Sequence, residues 1–245
     1  MIEILVTGKS GRMGQANIAA VEENPEATLA STHDHGEDLQ AALVQADTVI
    51  DFTIHTFTKE LLDAAIKTGK RLVIGTTGHT DEERDAIVEA SKTLPIVFAP
   101  NFSIGVNTLF WLTRQAAQVL QQDRFDIEVT EMHHRHKIDA PSGTARRLLE
   151  ILNEETGTSY EEDIKHGRFG ITGARPPREI GMHTLRGGDV VGDHTVMFAA
   201  EGERVELTHK ASSRMTFAAG AVRAAIWLAD KPAGLYDMQD VLGLK

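Results

Sequence analysis

Fifteen residues, EMHHRHKIDAPSGTA (131–145), concentrate groups that could transfer protons and bind anions. Three histidines, an arginine and a lysine occupy positions 133–137, in a chain whose formal net charge is −11. A histidine near its ordinary pKa of about 6.5 can act as a general acid at neutral pH. Ser142 then caps a helix predicted from Gly143 to Glu155, and the first backbone N–H groups of a helix bind anions. The segment therefore predicts a general acid beside a binding site for a small polyanion.

Residue types alone leave open which of the three histidines is the acid, and two other interpretations compete. A metal site could use His133, His134 and His136, but neighbouring side chains on a strand face opposite ways, and the chain has no H-E-x-x-H motif and no cysteine. Alternatively, the cluster could be a solvated basic loop that leads into an ordinary helix cap, with no ligand at all.

A second candidate site lies in ILVTGKSGRMG (4–14), where glycines fall between a predicted strand and a predicted helix. Gly8, Gly11 and Gly14 are spaced G-x-x-G-x-x-G, which departs from the usual G-x-G-x-x-G dinucleotide fingerprint. Glycines still permit a tight turn and a close backbone approach, and the helix N-terminus can receive a pyrophosphate. Asp34 follows the next strand, where a carboxylate can accept hydrogen bonds from ribose hydroxyls. Together these features predict a dinucleotide site.

The residues around Asp34 bear on which nicotinamide cofactor is used. A carboxylate there would repel the 2′-phosphate of NADPH, which favours NADH. Lys9, Arg12 and His35 could nevertheless accommodate a phosphate. We therefore expect NADH to be preferred, or both cofactors to be accepted.

The elements that must position these sites follow two patterns. Over the first hundred residues, buried apolar runs alternate with amphipathic helical segments, which predicts a doubly wound α/β domain of the Rossmann type. Beyond Pro100 the pattern predicts a helix over 107–121, a strand over 125–133 and the helix that Ser142 caps. It then predicts an irregular loop over 158–177, three alternating strands over 179–210 and a helix from Ser212 or Ser213 to Ala229. The second half thus reads as an α+β domain with a mixed or antiparallel sheet.

Composition limits the kinds of partner and the compartment. The excess of 36 acidic over 25 basic side chains argues against a nucleic acid or an anionic membrane as partner. No apolar run approaches the roughly 20 residues of a membrane span. The first residues, MIEILVTGKSG, lack the basic flank and the small-residue cleavage site of a signal peptide. We expect a cytoplasmic protein that acts on a small molecule.

The segment 131–145 closely resembles the signature of the 4-hydroxy-tetrahydrodipicolinate reductases, or dihydrodipicolinate reductases, of the diaminopimelate route to lysine. Five further segments resemble that family in the same order, across nearly the whole chain: TGKSGRMG, VIDFT, VIGTTG, FAPNFSIGVN and HKASSRMTFAAGAVRAAIWL. The resemblance implies reduction of a cyclic dicarboxylate with NADH or NADPH. It also implies a homotetramer assembled through the second domain. The implied domains are 1–104, completed by 214–245, for the cofactor and 105–213 for the substrate.

The resemblance implies a role for particular residues. His133 matches the proton donor of the family, and Lys137 matches a second catalytic group that also engages a substrate carboxylate. His134 matches a substrate contact, while Gly143 and Thr144 match the backbone site for a carboxylate. The matching cofactor segments are Gly8, Lys9, Ser10, Gly11, Arg12, Met13, Asp34, Gly75, Thr76, Thr77, Ala99, Pro100, Asn101 and Phe102.

Two rival functions fit the sequence less well. The short-chain dehydrogenases share a similar glycine spacing but need a Tyr-x-x-x-Lys pair; here Tyr160 is followed by Ile164, and Tyr236 by Asp240. A nucleotide-sensing regulator would explain the glycine turn without explaining the histidine–lysine cluster, and the acidic charge argues against DNA as its partner. A turnover assay separates the regulator from an enzyme.

Overall fold

The computed structural model describes residues 1–120 and 124–245, and the chain divides into two compact units. The first unit comprises Met1–Ile104 and Arg214–Lys245, and the second comprises Gly105–Ser213. In chain order the elements are β1 (Ile2–Thr7), α1 (Arg12–Glu23), β2 (Ala27–His33), α2 (Leu39–Leu43), β3 (Thr48–Asp51), α3 (Thr58–Thr68), β4 (Arg71–Ile74), α4 (Asp81–Ser91), β5 (Pro95–Phe98), α5 (Ile104–Val119), β6 (Asp126–His133), α6 (Gly143–Thr156), β7 (Ile164–His166), β8 (Ile180–Arg186), β9 (Gly192–Ala200), β10 (Glu203–Ala211), α7 (Met215–Trp227), β11 (Gly234–Tyr236) and α8 (Met238–Leu242).

The first unit is built on a parallel sheet with the strand order β11-β5-β4-β3-β1-β2. Successive residues of β1 alternate between two apolar cores, with Ile4 and Val6 in one and Leu5 in the other, all fully buried. Helices α1, α7 and α8 contribute to the first core, and α2, α3 and α4 contribute to the second. The predicted doubly wound fold is confirmed. The order reverses at β1, and open α/β sheets bind ligands at such a switch point, beyond the carboxyl ends of the strands.

Local signals in the sequence define several helix ends. Helix α4 begins at a capping box, in which the Glu83 amide donates to Thr80 Oγ1 (3.3 Å) and the Thr80 amide donates to Glu83 Oε2 (2.8 Å). Helix α3 ends at Gly69, whose φ of 65° suits a residue without a Cβ. Helix α6 begins after Ser142, whose Oγ accepts a hydrogen bond from the Ala145 amide (3.2 Å). All three caps were predicted from the sequence.

The second unit contains a mixed five-stranded sheet with the order β10-β9-β6-β8-β7. Strand β9 is antiparallel to β6 and β10, whereas β8 is parallel to β6 and β7. Strand β6 alternates, so that Ile127 and Val129 enter the core that α5 and α6 cover, and Glu131 and His133 follow on the same face. The inner face of β6 therefore changes from apolar to ionisable towards its carboxyl end.

Three features of the fold differ from the expectations. Strand β7 lies inside the segment 158–177, which was predicted to be irregular, and strand β11 with helix α8 follows the last predicted helix. Both strands are only three residues long and lie at sheet edges, so neither shows a periodic pattern of buried side chains. Helix α7 has Arg214 at its N-cap and no side-chain cap, so neither serine begins it.

Helix α5 begins at Ile104, three residues before the predicted start, and its predicted end at Gln121 lies outside the described residues. Within 1–120 and 124–245, no helix is both long and apolar enough to cross a membrane.

Candidate active site

His133 is the last residue of β6, and its side chain lies on the inner face of the sheet, with 8% of the residue exposed. Its ring packs edge-on against the ring of His194 in β9, with 5.1 Å between the centroids. Gly192, also in β9, lies beside both rings: a Cβ there would be 3.0 Å from Nε2 of His133 and 3.4 Å from Cε1 of His194. A side chain at position 192 would therefore crowd Nε2 of His133, and glycine avoids this.

Glu131 lies two residues before His133 on the same face of β6, and it is fully buried. Its Oε2 lies 2.5 Å from His133 Nδ1. Arg186 of β8 donates to both oxygens, from Nη1 to Oε2 (2.9 Å) and from Nη2 to Oε1 (3.0 Å). The amide of Ser142 also donates to Oε1 (3.1 Å). The Glu131 carboxylate thus binds His133, Arg186 of the adjacent strand β8 and the Ser142 amide at the start of α6.

These donors determine the charge of Glu131. Burial alone would raise the pKa of its carboxyl group, but the hydrogen bonds from His133, Arg186 and the Ser142 amide outweigh burial and lower the pKa to about 2. Glu131 is therefore ionised at neutral pH. A buried carboxylate in this state needs compensation, which the Arg186 guanidinium supplies.

His194 contacts two residues of the same site, His133 and Ser142. Burial lowers its pKa to about 3, with a smaller contribution from His133, so the ring is neutral at physiological pH. Its Nε2 lies 3.1 Å from Oγ of Ser142, the residue that caps α6. His194 therefore supports the His133 ring and the cap without adding charge.

The loop after β6 carries the remaining cationic residues. The amides of His134 and Arg135 donate to the Val190 and Gly188 carbonyls (2.7 and 3.2 Å), which ties this loop to the loop between β8 and β9. Lys137 is largely buried and pairs with Asp139 (2.9 Å), whose carbonyl accepts a hydrogen bond from Arg186 Nη2 (2.6 Å). The lysine is thereby connected, through Arg186, to Glu131.

His136 is exposed, and its ring lies 6.3 Å from that of His134. Gly143 and Thr144 form the first turn of α6, directly after the serine whose amide Glu131 binds. Backbone N–H groups at a helix N-terminus point out of the helix and suit an anion. The structure thus connects His133, Lys137 and the first turn of α6 through one network, in which His136 takes no part.

The glycine turn of the first unit has a geometry that lets a ligand and helix α1 approach its backbone closely. Gly8 has φ of 67°, and a Cβ there would lie 2.8 Å from Thr53 Cγ2. A Cβ on Gly14 would lie 2.0 Å from the Gly8 carbonyl oxygen, so α1 packs directly on the turn. Gly11 is the N-cap of α1 and makes no side-chain cap, which leaves the helix N-terminus accessible to a phosphate. The turn fits a dinucleotide despite its unusual spacing.

Asp34 follows β2 and lies against this turn. Its Oδ2 accepts a hydrogen bond from the Ser10 amide (3.0 Å), and its Oδ1 accepts one from the His35 amide (2.9 Å). The contact with Ser10 is the main reason why the pKa of Asp34 is lower than its usual value. Lys9 pairs with Glu37, whose Oε2 accepts from the Asp34 amide (2.9 Å). Lys9, one of the three groups that could accommodate the 2′-phosphate of NADPH, is thus partly neutralised by a second acid.

Residues at the end of β3 connect the segments 75–77 and 99–102 with the end of β1, just before the glycine turn. Asp51 is fully buried and accepts hydrogen bonds from the hydroxyls of Thr7, Thr53 and Thr76 (2.6, 2.7 and 2.6 Å). The ring of Phe52 packs on Phe102, and a Cβ on Gly75 would lie 2.3 Å from the Phe52 ring. The carboxyl ends of β1, β3, β4 and β5 are therefore held together.

Several of the predicted cofactor residues cannot use their side chains. Thr76, Ala99 and Phe102 are 3%, 2% and 1% exposed, and the Thr76 hydroxyl already binds Asp51. Contact with a cofactor at these positions would come from the backbone. Thr77 and Pro100, by contrast, are exposed.

Sequence reasoning missed the residues that support both sites: Glu131, Arg186, Gly192, His194, Asp51 and Phe52. The period of two on β6 could have identified Glu131, because residues 131 and 133 of a strand face the same side. Arg186 and His194 come from other strands, so only the register of the sheet brings them to His133.

Two family models match nearly the whole chain. A family model described as "Dihydrodipicolinate reductase, N-terminus" matches residues 2–102, and one described as "Dihydrodipicolinate reductase, C-terminus" matches residues 105–242.

Individual relatives match over their whole length. The chain is 64% identical to a 4-hydroxy-tetrahydrodipicolinate reductase of Akkermansia muciniphila over 244 residues, which are 100% of this chain and 99% of that protein. It is 48% identical to one of Hahella chejuensis, with 100% of both chains covered. Among solved structures, the dipicolinate-bound dihydrodipicolinate reductase of Paenisporosarcina sp. TG-14 is similar, with a TM-score of 0.79, 25% identity and 98% of each chain covered.

Proposed function

Because this chain belongs to the dihydrodipicolinate reductase family, we propose that it reduces 4-hydroxy-tetrahydrodipicolinate to tetrahydrodipicolinate in the diaminopimelate pathway of lysine biosynthesis. Family membership makes the chain an NAD(P)H-dependent reductase with a Rossmann-type fold. The observation that carries the catalytic assignment is the position of His133, which is held by an ionised Glu131 and connected to Lys137 and to the first turn of α6.

His133 is the general acid of the proposed mechanism. Its Nδ1 contacts Glu131, which leaves Nε2, the ring nitrogen beside Gly192, as the atom that can deliver a proton. The 4-hydroxyl group leaves as water, and hydride and proton then add to neighbouring ring carbons, the proton going to the carbon next to the one that is reduced. His194 cannot replace it, because burial keeps its ring neutral at physiological pH. His136 is exposed and makes no contact with this network.

Binding of the substrate uses charge complementarity. The substrate has two carboxylates, and the second unit offers Lys137, His134 and the backbone N–H groups of Gly143 and Thr144. The helix N-terminus attracts one negative group through its dipole and its amides. The lysine ammonium group can exchange its contact with Asp139 for a substrate carboxylate, because that aspartate is half-exposed and can be solvated in turn.

The cofactor is assigned to the first unit. The residues that would hold it are the turn Gly8–Met13, Asp34 and the backbone of 75–77 and 99–102, and the glycine geometry fits its pyrophosphate. When bound, a reduced nicotinamide supplies the hydride. Asp34 would accept hydrogen bonds from the adenosine ribose, and Glu37 neutralises Lys9, so we expect NADH to be preferred over NADPH.

The assembly and the compartment belong to the same proposal. Phe169 and Ile171 are fully exposed on the loop 167–177 of the second unit, and Leu185 of β8 is 49% exposed. Apolar side chains of this size suit burial against a second copy, which supports the homotetramer that the family resemblance implies. Light scattering on the purified protein tests this, with a mass of four chains expected and a monomer contradicting it.

We place the enzyme in the cytoplasm, where biosynthetic reductases find reduced nicotinamide.

A turnover and competition experiment tests the function. Freshly generated 4-hydroxy-tetrahydrodipicolinate is added to the protein with NADH or NADPH, and cofactor oxidation is followed by absorbance. Pyridine-2,6-dicarboxylate, which is planar and carries two carboxylates, should compete with the substrate. Oxidation that depends on substrate and is inhibited competitively supports the proposal. Cofactor binding without turnover would instead support a nucleotide-sensing protein.

A further inference from the structure

The hydrogen bonds of Glu131 determine which ring nitrogen of His133 carries a hydrogen. An ionised carboxylate accepts hydrogen bonds and cannot donate them. Glu131 is fully buried and has three partners around its two oxygens: His133 Nδ1, the two Nη atoms of Arg186 and the Ser142 amide. Every one of these partners must donate. His133 therefore carries a hydrogen on Nδ1 whether its ring is neutral or charged.

Arg186 prevents the carboxylate from turning away. Its guanidinium forms two parallel hydrogen bonds to Glu131, a geometry that fixes orientation as well as distance. The same group also donates to the carbonyls of Leu185 (2.7 Å) and Asp139 (2.6 Å), so it is anchored to β8 and to the loop that carries Lys137. The acid, the lysine loop and the first turn of α6 all depend on one ion pair.

We propose that Glu131, held by Arg186, is the positioning residue for the general acid: it keeps the proton of His133 Nδ1 in place and so leaves Nε2 as the atom that exchanges a proton with the substrate. This inference rests on the proposed role of His133 as the acid. Neither Glu131 nor Arg186 contacts the reacting atoms in this account. Both act through the orientation and tautomer of the histidine.

The same strand provides a matched control. Glu128 also lies on β6, and it also pairs with a histidine (His183 Nε2, 2.7 Å) and with arginines, namely Arg168 (2.7 Å) and Arg175 (3.1 Å). Its pKa, like that of Glu131, falls to about 2 against the effect of burial, because of these partners. Glu128 faces the opposite side of the sheet, away from His133. Glu128→Gln therefore removes a carboxylate with similar partners, whose side chain is 14% exposed, from the face of β6 opposite the acid.

A double-mutant cycle tests the proposal. Steady-state kcat and KM are measured for wild type, Glu131→Gln, His133→Gln, the double variant and Glu128→Gln, with circular dichroism and light scattering to verify fold and assembly. Because misplacing a catalytic group by about 1 Å can cost about 100-fold, we expect Glu131→Gln to lower kcat by about 10- to 100-fold. The KM for NADH should stay unchanged. In the His133→Gln background the same change should lower kcat by less than about 3-fold, because nothing remains to be positioned.

Each outcome has a distinct meaning. If Glu131→Gln lowers kcat equally in both backgrounds, or no more than Glu128→Gln does, the positioning role is overturned. If His133→Gln is itself mild, the assignment of the acid fails instead, so the two failures can be told apart.

A measurement on the unaltered protein covers the case in which Glu131→Gln does not fold. The protein is labelled with ¹⁵N-histidine, and the His133 signals are assigned by comparison with His133→Gln. At a pH where the ring is neutral, the nitrogen shifts must show the hydrogen on Nδ1. A neutral His133 with its hydrogen on Nε2 would refute the proposal.

Discussion

Replacing Glu131 by glutamine should change how the stability of the second unit depends on pH. The folded state lowers the pKa of this carboxyl group to about 2, from an ordinary value near 4.5. A tenfold change in proton affinity corresponds to about 1.4 kcal/mol, so the ionised form is favoured by about 3 kcal/mol in the folded state. Because the pKa is depressed on folding, this stability is fully present above about pH 4.5 and is lost as the pH falls towards 2.

The chain allows the second unit to be followed by itself. It has two tryptophans, Trp111 in α5 of the second unit and Trp227 in α7 of the first. In a Trp227→Phe background, Trp111 fluorescence during urea unfolding gives the free energy of unfolding at pH 7, 5, 4 and 3. Protein concentration is held constant, because assembly affects apparent stability. Glu131→Gln should reduce the loss of stability between pH 5 and 3 by about 2 kcal/mol, because the full effect is reached only near pH 2.

Glu128→Gln should flatten the same curve by a similar amount, because its pKa is lowered to a similar value. The two variants should therefore look alike in acid stability and differ in kcat. If Glu131→Gln loses stability between pH 5 and 3 as steeply as wild type, Glu131 does not carry a charge that folding favours. Glu131 could then itself donate a hydrogen to His133, and the hydrogen on His133 Nδ1 would no longer be required.

Three further predictions concern the ligand sites. Asp34→Ala removes a ribose acceptor and a charge that repels a 2′-phosphate, so calorimetry should show NADH binding weakened by about 10-fold or more and NADPH binding weakened less; equal losses would contradict this. Lys137→Ala should remove most of the affinity for pyridine-2,6-dicarboxylate, and unchanged inhibition would show that the lysine does not bind carboxylate. Gly14→Ala places a Cβ 2.0 Å from the Gly8 carbonyl oxygen, so thermal unfolding and NADH titration should show a loss of about 1–3 kcal/mol in stability together with weaker binding. Wild-type stability and wild-type NADH affinity in Gly14→Ala would show that the turn can shift to accommodate a Cβ without losing either.

The fold could be predicted largely because its signals are local. Strands β1 and β4 contain short apolar runs, Ile4–Val6 and Leu72–Ile74, and helices α3, α4 and α6 have caps that the sequence displays. Strands β7 and β11 escaped prediction because a three-residue edge strand is held by backbone pairing with β8 or β5, which leaves no side-chain pattern.

The candidate site was predictable only in part, because some of its residues are close in sequence and others come together only in the folded sheet. The histidines, Lys137 and the cap at Ser142 are close in sequence, so their chemistry can be read directly. The choice of His133 depended on family resemblance, because the residues that distinguish it come from β8 and β9. Arg186 and His194 reach it through sheet register, and Asp51 acquires its role only when three strands bring their threonines to it.

The most direct test of the account is kcat for His133→Gln with saturating NADH and freshly generated 4-hydroxy-tetrahydrodipicolinate, beside the exposed control His136→Gln. A general acid contributes about 10²- to 10⁴-fold, so we predict a loss in that range for His133→Gln and almost none for His136→Gln. NADH affinity, measured by titration, should be unchanged in both, because the cofactor residues belong to the first unit. Wild-type turnover by His133→Gln, or a larger loss from His136→Gln, would contradict the assignment of His133 as the proton donor.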